Sequence, residues 1–328
     1  MAQEPAATTS SPREPPEASP QQPAIVPADD HDLYDGDSDA ASFESSTASL
    51  TSSILGHKME DDTTPTEKDH MSLEQDRLDL HHHIYNMILG GELYRAPIPP
   101  GTSKILDLGT GTGSWAIDVA DKLPEAVVTG FQQIANLKLM TLRQPGNFRD
   151  PVRFHPCPEP SKAAPKIISV YSAKPRITFD PEGWFEVADA TVGVFGDDDT
   201  INKAPNILEW RDHLIDASAK FGKPMGVSKN YKQWFIDTGF ENVTEEIYKV
   251  PFSPWAKDKK LKELGRYQQA MMLEALEAYS LALFTKVLNW DVNRIQLLLV
   301  GVRKELMDRS LHIYSQYYIV YGQRPQNS

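Results

Sequence analysis

The chain has 328 residues, room for one large domain or two small ones, and its 33 basic and 46 acidic residues give a net charge of −13. Fifteen of those acids but only three of the bases fall in residues 1–70, so the remaining body is near neutral and has no basic face to draw in a nucleic-acid backbone. No apolar run approaches the roughly 20 residues of a membrane span, no signal-peptide pattern follows Met1, and the one cysteine, Cys157, cannot close an internal disulfide. The expected compartment is therefore cytoplasmic or nuclear, with neither nucleic acid nor membrane as a direct partner.

Residues 1–70 are dominated by Pro, Ser, Thr, Ala and Asp. Such a segment buries too little apolar surface to offset an ordering cost of about 1 to 2 kcal/mol per residue. Composition thus predicts a disordered acidic tail over 1–70 and one folded domain over 71–328. Order is expected from Ser72, where Ser72 and Gln75 have capping-box spacing and Leu73, Leu80, Ile84, Met87 and Ile88 follow at helical spacing up to Gly90 and Gly91. His81-His82-His83 lies inside this helix, where adjacent residues point about 100° apart and do not converge on one ion, so no metal site is predicted.

A short apolar run, Ile105-Leu106-Asp107-Leu108, leads into Gly109-Thr110-Gly111-Thr112-Gly113 and then an amphipathic stretch with Trp115, Ile117, Val119 and Ala120. A second strand is expected over 126–131. Strand, glycine loop, helix and strand in that order predict the beginning of a doubly wound α/β sheet. Periodicity then lapses: eight of the chain's 25 prolines fall between Pro145 and Pro181, and only 166–171 suggests a short strand. Two accounts of 131–180 stand side by side, genuine divergence and a shifted reading frame. Codons for Ile-Asp-Asp-Ala read one base late yield the string Leu139-Met140-Thr141-Leu142.

Regular structure resumes with a strand at Trp184-Phe185-Glu186-Val187-Ala188, followed by helices over 206–221 and 229–238, the latter closed by Gly239. A strand over 243–250, a long helix over 258–288, a second helix over 292–307 with Asp291 as N-cap, and a closing strand over 311–321 complete the pattern. The stripe Tyr267, Met271, Met272, Leu276, Tyr279 and Phe284 reads as core in preference to an acceptor pocket. This gives added C-terminal helices on the α/β sheet.

The glycine spacing narrows the cofactor. A dinucleotide loop, G-x-G-x-x-G, requires glycine at position 114, where this chain has Ser114, so a nicotinamide or flavin enzyme is the weaker reading, as is a purely structural turn. Asp107-x-Gly109-x-Gly111-x-Gly113 closing a hydrophobic strand resembles motif I of class I S-adenosylmethionine-dependent methyltransferases. The resemblance implies a Rossmann-like methyltransferase sheet, S-adenosyl-L-methionine as cofactor, and contacts to it from Asp107, Gly109, Thr110, Gly111, Thr112 and Gly113.

A longer series is more specific. Glu74 to His82, Gly91 to Ile98, Leu106 to Asp118, Trp234 to Phe240, Tyr248 to Pro251, Ser253-Pro254-Trp255, Leu264-Gly265-Arg266-Tyr267 and Asp308-Arg309-Ser310 resemble, in order, the fungal LaeA-like methyltransferase family, named for a regulator of secondary metabolism. The family implies a methyltransferase acting in or regulating secondary metabolism, a small-molecule or protein methyl acceptor, and association with velvet-type regulatory proteins. At one place the chain departs from the pattern: Gln132 stands where the family's second strand ends in the acid that grips the ribose hydroxyls, and an amide lacks the charge of that contact. Neither is the adenine half of the site readable between Gln133 and Arg176. The alternative is therefore a catalytically degenerate methyltransferase fold, kept as a scaffold or regulatory interaction protein. No residue is named as catalytic; Tyr267 and His312 are candidates by position alone, with a structural role preferred for each.

Overall fold

The computed structural model describes residues 22–29, 67–132, 152–156 and 182–326. Helix α1 (Glu67–Ile88) opens the folded body, starting five residues before the expected Ser72, so Ser72 lies inside the helix and not at its cap. Two glycines in left-handed conformation stop it, Gly90 at φ 69° and Gly91 at φ 89°, and the Gly91 N–H donates to the Asn86 carbonyl at 2.8 Å. No helix among the described residues is long and apolar enough to cross a membrane.

Strand β1 (Lys104–Leu108), helix α2 (Ser114–Lys122) and strand β2 (Val127–Gln132) form the expected right-order unit, with β1 and β2 parallel from the Lys104–Val127 pair to Leu108–Phe131. A third parallel strand, β3 (Val152–Pro156), pairs with β2, Gln132 opposite Pro156. This strand falls inside 131–180, at a place where the sequence pattern suggests none. Ladder pairing with β2, which local periodicity does not record, recruits a five-residue segment despite Pro151 and Pro156 at its margins. The expected strand over 166–171 lies outside the described residues. Helix α2 covers one face of the sheet, burying Ala116, Val119 and Ala120 with Val128 and Leu93. On the other face of the same sheet Leu106 is 37 % and Leu108 40 % exposed.

A second sheet follows. Strand β4 (Trp184–Ala190) and the two-residue β5 (Phe195–Gly196) lie along one side of β7 (Ile313–Gln323), and β6 (Glu241–Pro251) along the other, all antiparallel to β7. Helices α3 (Pro205–Lys220), α4 (Tyr231–Asp237), α5 (Lys259–Lys286) and α6 (Val292–Met307) complete the body close to their expected bounds. Asp258 and Asp291 cap α5 and α6, accepting from the N–H of Leu261 at 2.9 Å and of Arg294 at 3.0 Å. The Tyr267, Met271, Met272, Leu276 and Phe284 stripe of α5 is core, packed with Ile84 of α1, Trp210 and Leu214 of α3 and Leu299 of α6. One buried acid ties this core together: Glu305 of α6 accepts from the N–H groups of Asn206 at 3.0 Å and Ile207 at 2.8 Å, satisfying the N-terminus of α3.

Within the segment whose composition predicts disorder, residues 22–29 lie against the body. Ile25 and Ala28 are each 9 % exposed, and the Ala28 N–H donates to the Trp255 carbonyl at 2.9 Å.

Candidate functional site

Three alternate positions of the loop after β1 require a left-handed backbone: Gly109 has φ 87°, Gly111 φ 54° and Gly113 φ 88°. An L side chain at such an angle costs about 1 to 2 kcal/mol, which explains the strict glycine alternation. Between them, Thr110 turns inward to 8 % exposure and its hydroxyl donates to Asp107 Oδ2 at 2.6 Å, while the Gly113 N–H closes the turn on the Thr110 carbonyl at 2.7 Å. Burial pushes the Asp107 carboxyl above the usual range, opposed by the Thr110 hydroxyl and the nearby His82. Gly113 is the N-cap of α2 and supplies no side-chain cap to it.

Helix α1 lies across this loop. Asp79 accepts from Thr112 Oγ1 at 2.6 Å and from Ser114 Oγ at 2.7 Å, and a Cβ at Gly111 would sit 3.6 Å from Leu78 Cδ1. Further along the same side, His82 Nε2 meets Asp118 Oδ2 of α2 at 2.8 Å. Leu78 and His82 share a helix face by i, i+4 spacing, and Asp79 borders it.

His81 and Tyr85, one position round, face the second sheet, and Arg77 on the same side faces α5. The His81 ring packs on Tyr85 at 4.9 Å and on Tyr317 at 6.0 Å between centroids, and Arg77 Nη1 donates to the Tyr279 hydroxyl at 3.4 Å. Burial, then Arg77 and His82, push His81 down to about 4. His83 turns to a third neighbour, Tyr267, at 4.4 Å, so the three consecutive histidines serve three separate contacts.

At the C-terminal end of β4, Asp189 Oδ2 accepts the Tyr231 hydroxyl at 2.7 Å, and burial raises its carboxyl to about 6 against that bond and the one from the Ala190 backbone. Tyr85 and Tyr317 lie close enough to feel the Asp189 charge. Glu186, three residues earlier on β4, accepts from the N–H of Arg95 at 2.8 Å and of Ala96 at 2.6 Å, fixing the segment between α1 and β1 to the second sheet.

The predicted loop residues Asp107, Gly109, Thr110, Gly111, Thr112 and Gly113 thus come together as one turn under α1, and Gln132 ends the neighbouring strand, its side chain outside the described residues. His312 is elsewhere: its Nδ1 meets Asp198 Oδ2 at 2.6 Å and its ring lies 5.0 Å from Trp255, which gives it a structural place. Tyr267 is core. Sequence reasoning missed Asp79 and Asp189. Asp79 sits one residue before Leu80 in the Glu74 to His82 stretch, where its spacing marks only a helix. Asp189 carried a weak signal, an acid in the strand that follows a proline-rich gap. A cleft of about 220 Å³ lined by Tyr94, Ile98, Lys122 and Glu125 lies at the opposite, N-terminal end of β1, the wrong end for a ligand in an open α/β sheet.

No family model matches the chain. Curated methyltransferases and regulators of secondary metabolism are similar to it over most of their length. Methyltransferase pytC of Aspergillus terreus is 31% identical over 266 residues, which are 77% of this chain and 81% of that one. The secondary metabolism regulator LAE1 of Cochliobolus heterostrophus is 29% identical over 270 residues, 77% of this chain and 88% of that one. The protein-methionine methyltransferase laeA of Emericella nidulans is 28% identical over 266 residues, 77% of this chain and 70% of that one.

Proposed function

We propose, on the premise that the chain belongs to the LaeA-like family of methyltransferases, that its glycine loop holds S-adenosylmethionine and that it transfers the sulfonium methyl group to an acceptor in secondary metabolism or its regulation. S-adenosylmethionine, the cofactor expected of this family, supplies an electrophilic methyl group on sulfur. What this chain offers it is a turn without Cβ atoms at 109, 111 and 113, where a ligand approaches the backbone directly, beside a helix start that no side chain caps. That loop, tied to Asp107 from within and to Asp79 of α1 from above, is the observation that carries the reading.

In this reading Asp107 orients the loop through Thr110, Gly109 to Gly113 surround the methionine portion, and Gln132 replaces the ribose acid with a neutral acceptor. Helix α1 forms a wall shared by two spaces: Leu78, Asp79 and His82 close the cofactor side, and Tyr85, with the His81 ring packed on it, lies near Asp189. Asp189, poised near 6 and partly open to solvent, is ionised at neutral pH and is suited to receive a proton from an O–H or N–H acceptor lying between α1 and β4. Holding acceptor and methyl group at near-attack distance does the rest.

Gln132 favours a second reading, a methyltransferase fold that has lost its cofactor and serves as an interaction scaffold. Calorimetric titration of the full chain with S-adenosylmethionine and its demethylated product separates the two. Micromolar binding that Gly111→Asp abolishes is expected; no heat at millimolar ligand from a folded sample refutes the enzyme reading and leaves the scaffold. The shifted-frame account of 131–180 is tested independently, since a transcript that keeps the present frame through those codons overturns it.

A further inference from the structure

We infer that the face formed by Phe195, Trp255 and Tyr314 is a docking groove for extended, proline-bracketed peptides, and that the chain fills it with its own residues 22–29 as a tethered ligand.

Two buried side chains three residues apart, Ile25 and Ala28, anchor the segment. Gln22 Oε1 accepts from the Lys249 N–H at 2.8 Å, Ile25 is buried against Trp255, Ala256 and Tyr314, and Ala28 is buried with its N–H on the Trp255 carbonyl. Between them Val26 turns outward and is 63 % exposed. Buried positions three residues apart fit an extended, polyproline-type segment, Pro23 and Pro27 bracket the buried Ile25, and Pro27 forms an isolated antiparallel bridge with Ala256. An aromatic-lined groove is the surface that recognises such a segment, because its conformation is already set by proline and loses little entropy on docking.

Backbone groups on both sides are paired. The Ile25 N–H donates to Asp197 Oδ2 at 3.0 Å, the Lys257 N–H to the Val26 carbonyl at 2.9 Å, and Lys249 Nζ to the Pro23 carbonyl at 3.1 Å. Charge closes the ends: Lys249 also pairs with Asp197 at 2.8 Å, and Lys257 with Asp29 at 2.7 Å. The ligand class is therefore specific: a hydrogen-bonding side chain, then after two residues a branched aliphatic, then after two more a small residue followed by an acid. Every contact lies on β5 and the Asp197 that follows it, on β6, on β7 or on the turn before α5, so the groove is separate from the glycine loop.

A covalent link through residues 30–66 holds the segment near its groove at an effective concentration on the order of 1 mM. A free peptide must compete with that, which gives the test. A fluorescein-labelled peptide of residues 20–31 is titrated by anisotropy against the full-length wild type and the full-length Ile25→Asp variant, whose own segment no longer fits. Saturable binding to the variant, at least about tenfold tighter than to wild type, is expected, and a peptide carrying the same Ile25→Asp change binds neither protein. The milder pair Ile25→Ala with Asp29→Ala, which introduces no charge, moves the affinity in the same direction and guards against a folding defect. No saturable binding to either variant at unchanged melting temperature, or equal binding to variant and wild type, overturns the inference. A concentration-dependent wild-type dimer that Ile25→Asp dissolves also overturns it, since the segment then sits on a second copy.

Discussion

Asp79 gives the sharpest check on how helix α1 shapes the cofactor loop. Its carboxylate accepts two hydroxyl bonds, from Thr112 at 2.6 Å and from Ser114 at 2.7 Å, and so joins α1 to the loop and to the start of α2. Each bond is exposed and contributes about 0.5 to 1 kcal/mol, so replacing Asp79 by Ala releases the loop from α1 at a cost of about 1 to 2 kcal/mol. A ligand that needs the loop in its stapled form loses at most that much, which corresponds to roughly a fivefold to thirtyfold weaker dissociation constant for S-adenosylmethionine. Calorimetry on Asp79→Ala and Asp79→Asn reads it, the amide being expected to fall between wild type and alanine because it retains one acceptor. Unchanged affinity in Asp79→Ala refutes the stapling. So does a loss beyond roughly a hundredfold, which a released loop cannot produce and only direct contact with the ligand explains.

The remaining predictions concern backbone, burial and proton binding. Gly265 of α5 packs on the Ser253 backbone, where an added Cβ would come within 2.8 Å of the carbonyl carbon, whereas a Cβ at Gly109 meets nothing within 4 Å. Gly265→Ala is therefore expected to lower the melting temperature more than Gly109→Ala, whose cost is the left-handed backbone alone, about 1 to 2 kcal/mol; the reverse order in a thermal melt contradicts the packing. His81 is held neutral near 4, below its ordinary 6.5, so the stability it contributes is complete above pH 6.5 and is lost as pH falls through 4, at most about 3 kcal/mol. His81→Phe keeps the ring between Tyr85 and Tyr317 and is expected to flatten that acid limb in urea melts at stepped pH; an unchanged limb assigns it to other groups. Asp189 has the opposite sign: raised from 3.8 to about 6, it favours the fold when protonated, and that contribution is lost as pH rises through 6. Asp189→Asn is expected to melt higher than wild type at pH 7 while slowing methyl transfer with cofactor affinity unchanged, and full turnover in that variant removes Asp189 as the proton acceptor.

Local chemistry is what made β1, the glycine loop, α2 and β2 legible in the amino-acid order. A hydrophobic strand, three glycines forced to positive φ and an amphipathic helix each state their conformation within a few residues. For the same reason the caps Asp258 and Asp291 place α5 and α6 almost to the residue. Strand β3 was illegible because its pairing with β2, and not its own pattern, makes it a strand. The start of α1 was missed because the Ser72 and Gln75 pair mimics a cap inside a helix that continues to Glu67.

Sequence by itself determined the loop, its neighbours and the family pattern that they carry. Only the tertiary structure decided which distant groups meet there: Asp79 reaches Thr112 across 33 residues, Glu186 reaches Arg95 across 91, and Ile25 reaches Asp197 across 172. Such partners are chosen by packing, since a polar group leaving water must find whichever donor or acceptor the fold brings beside it, and no local periodicity records that choice.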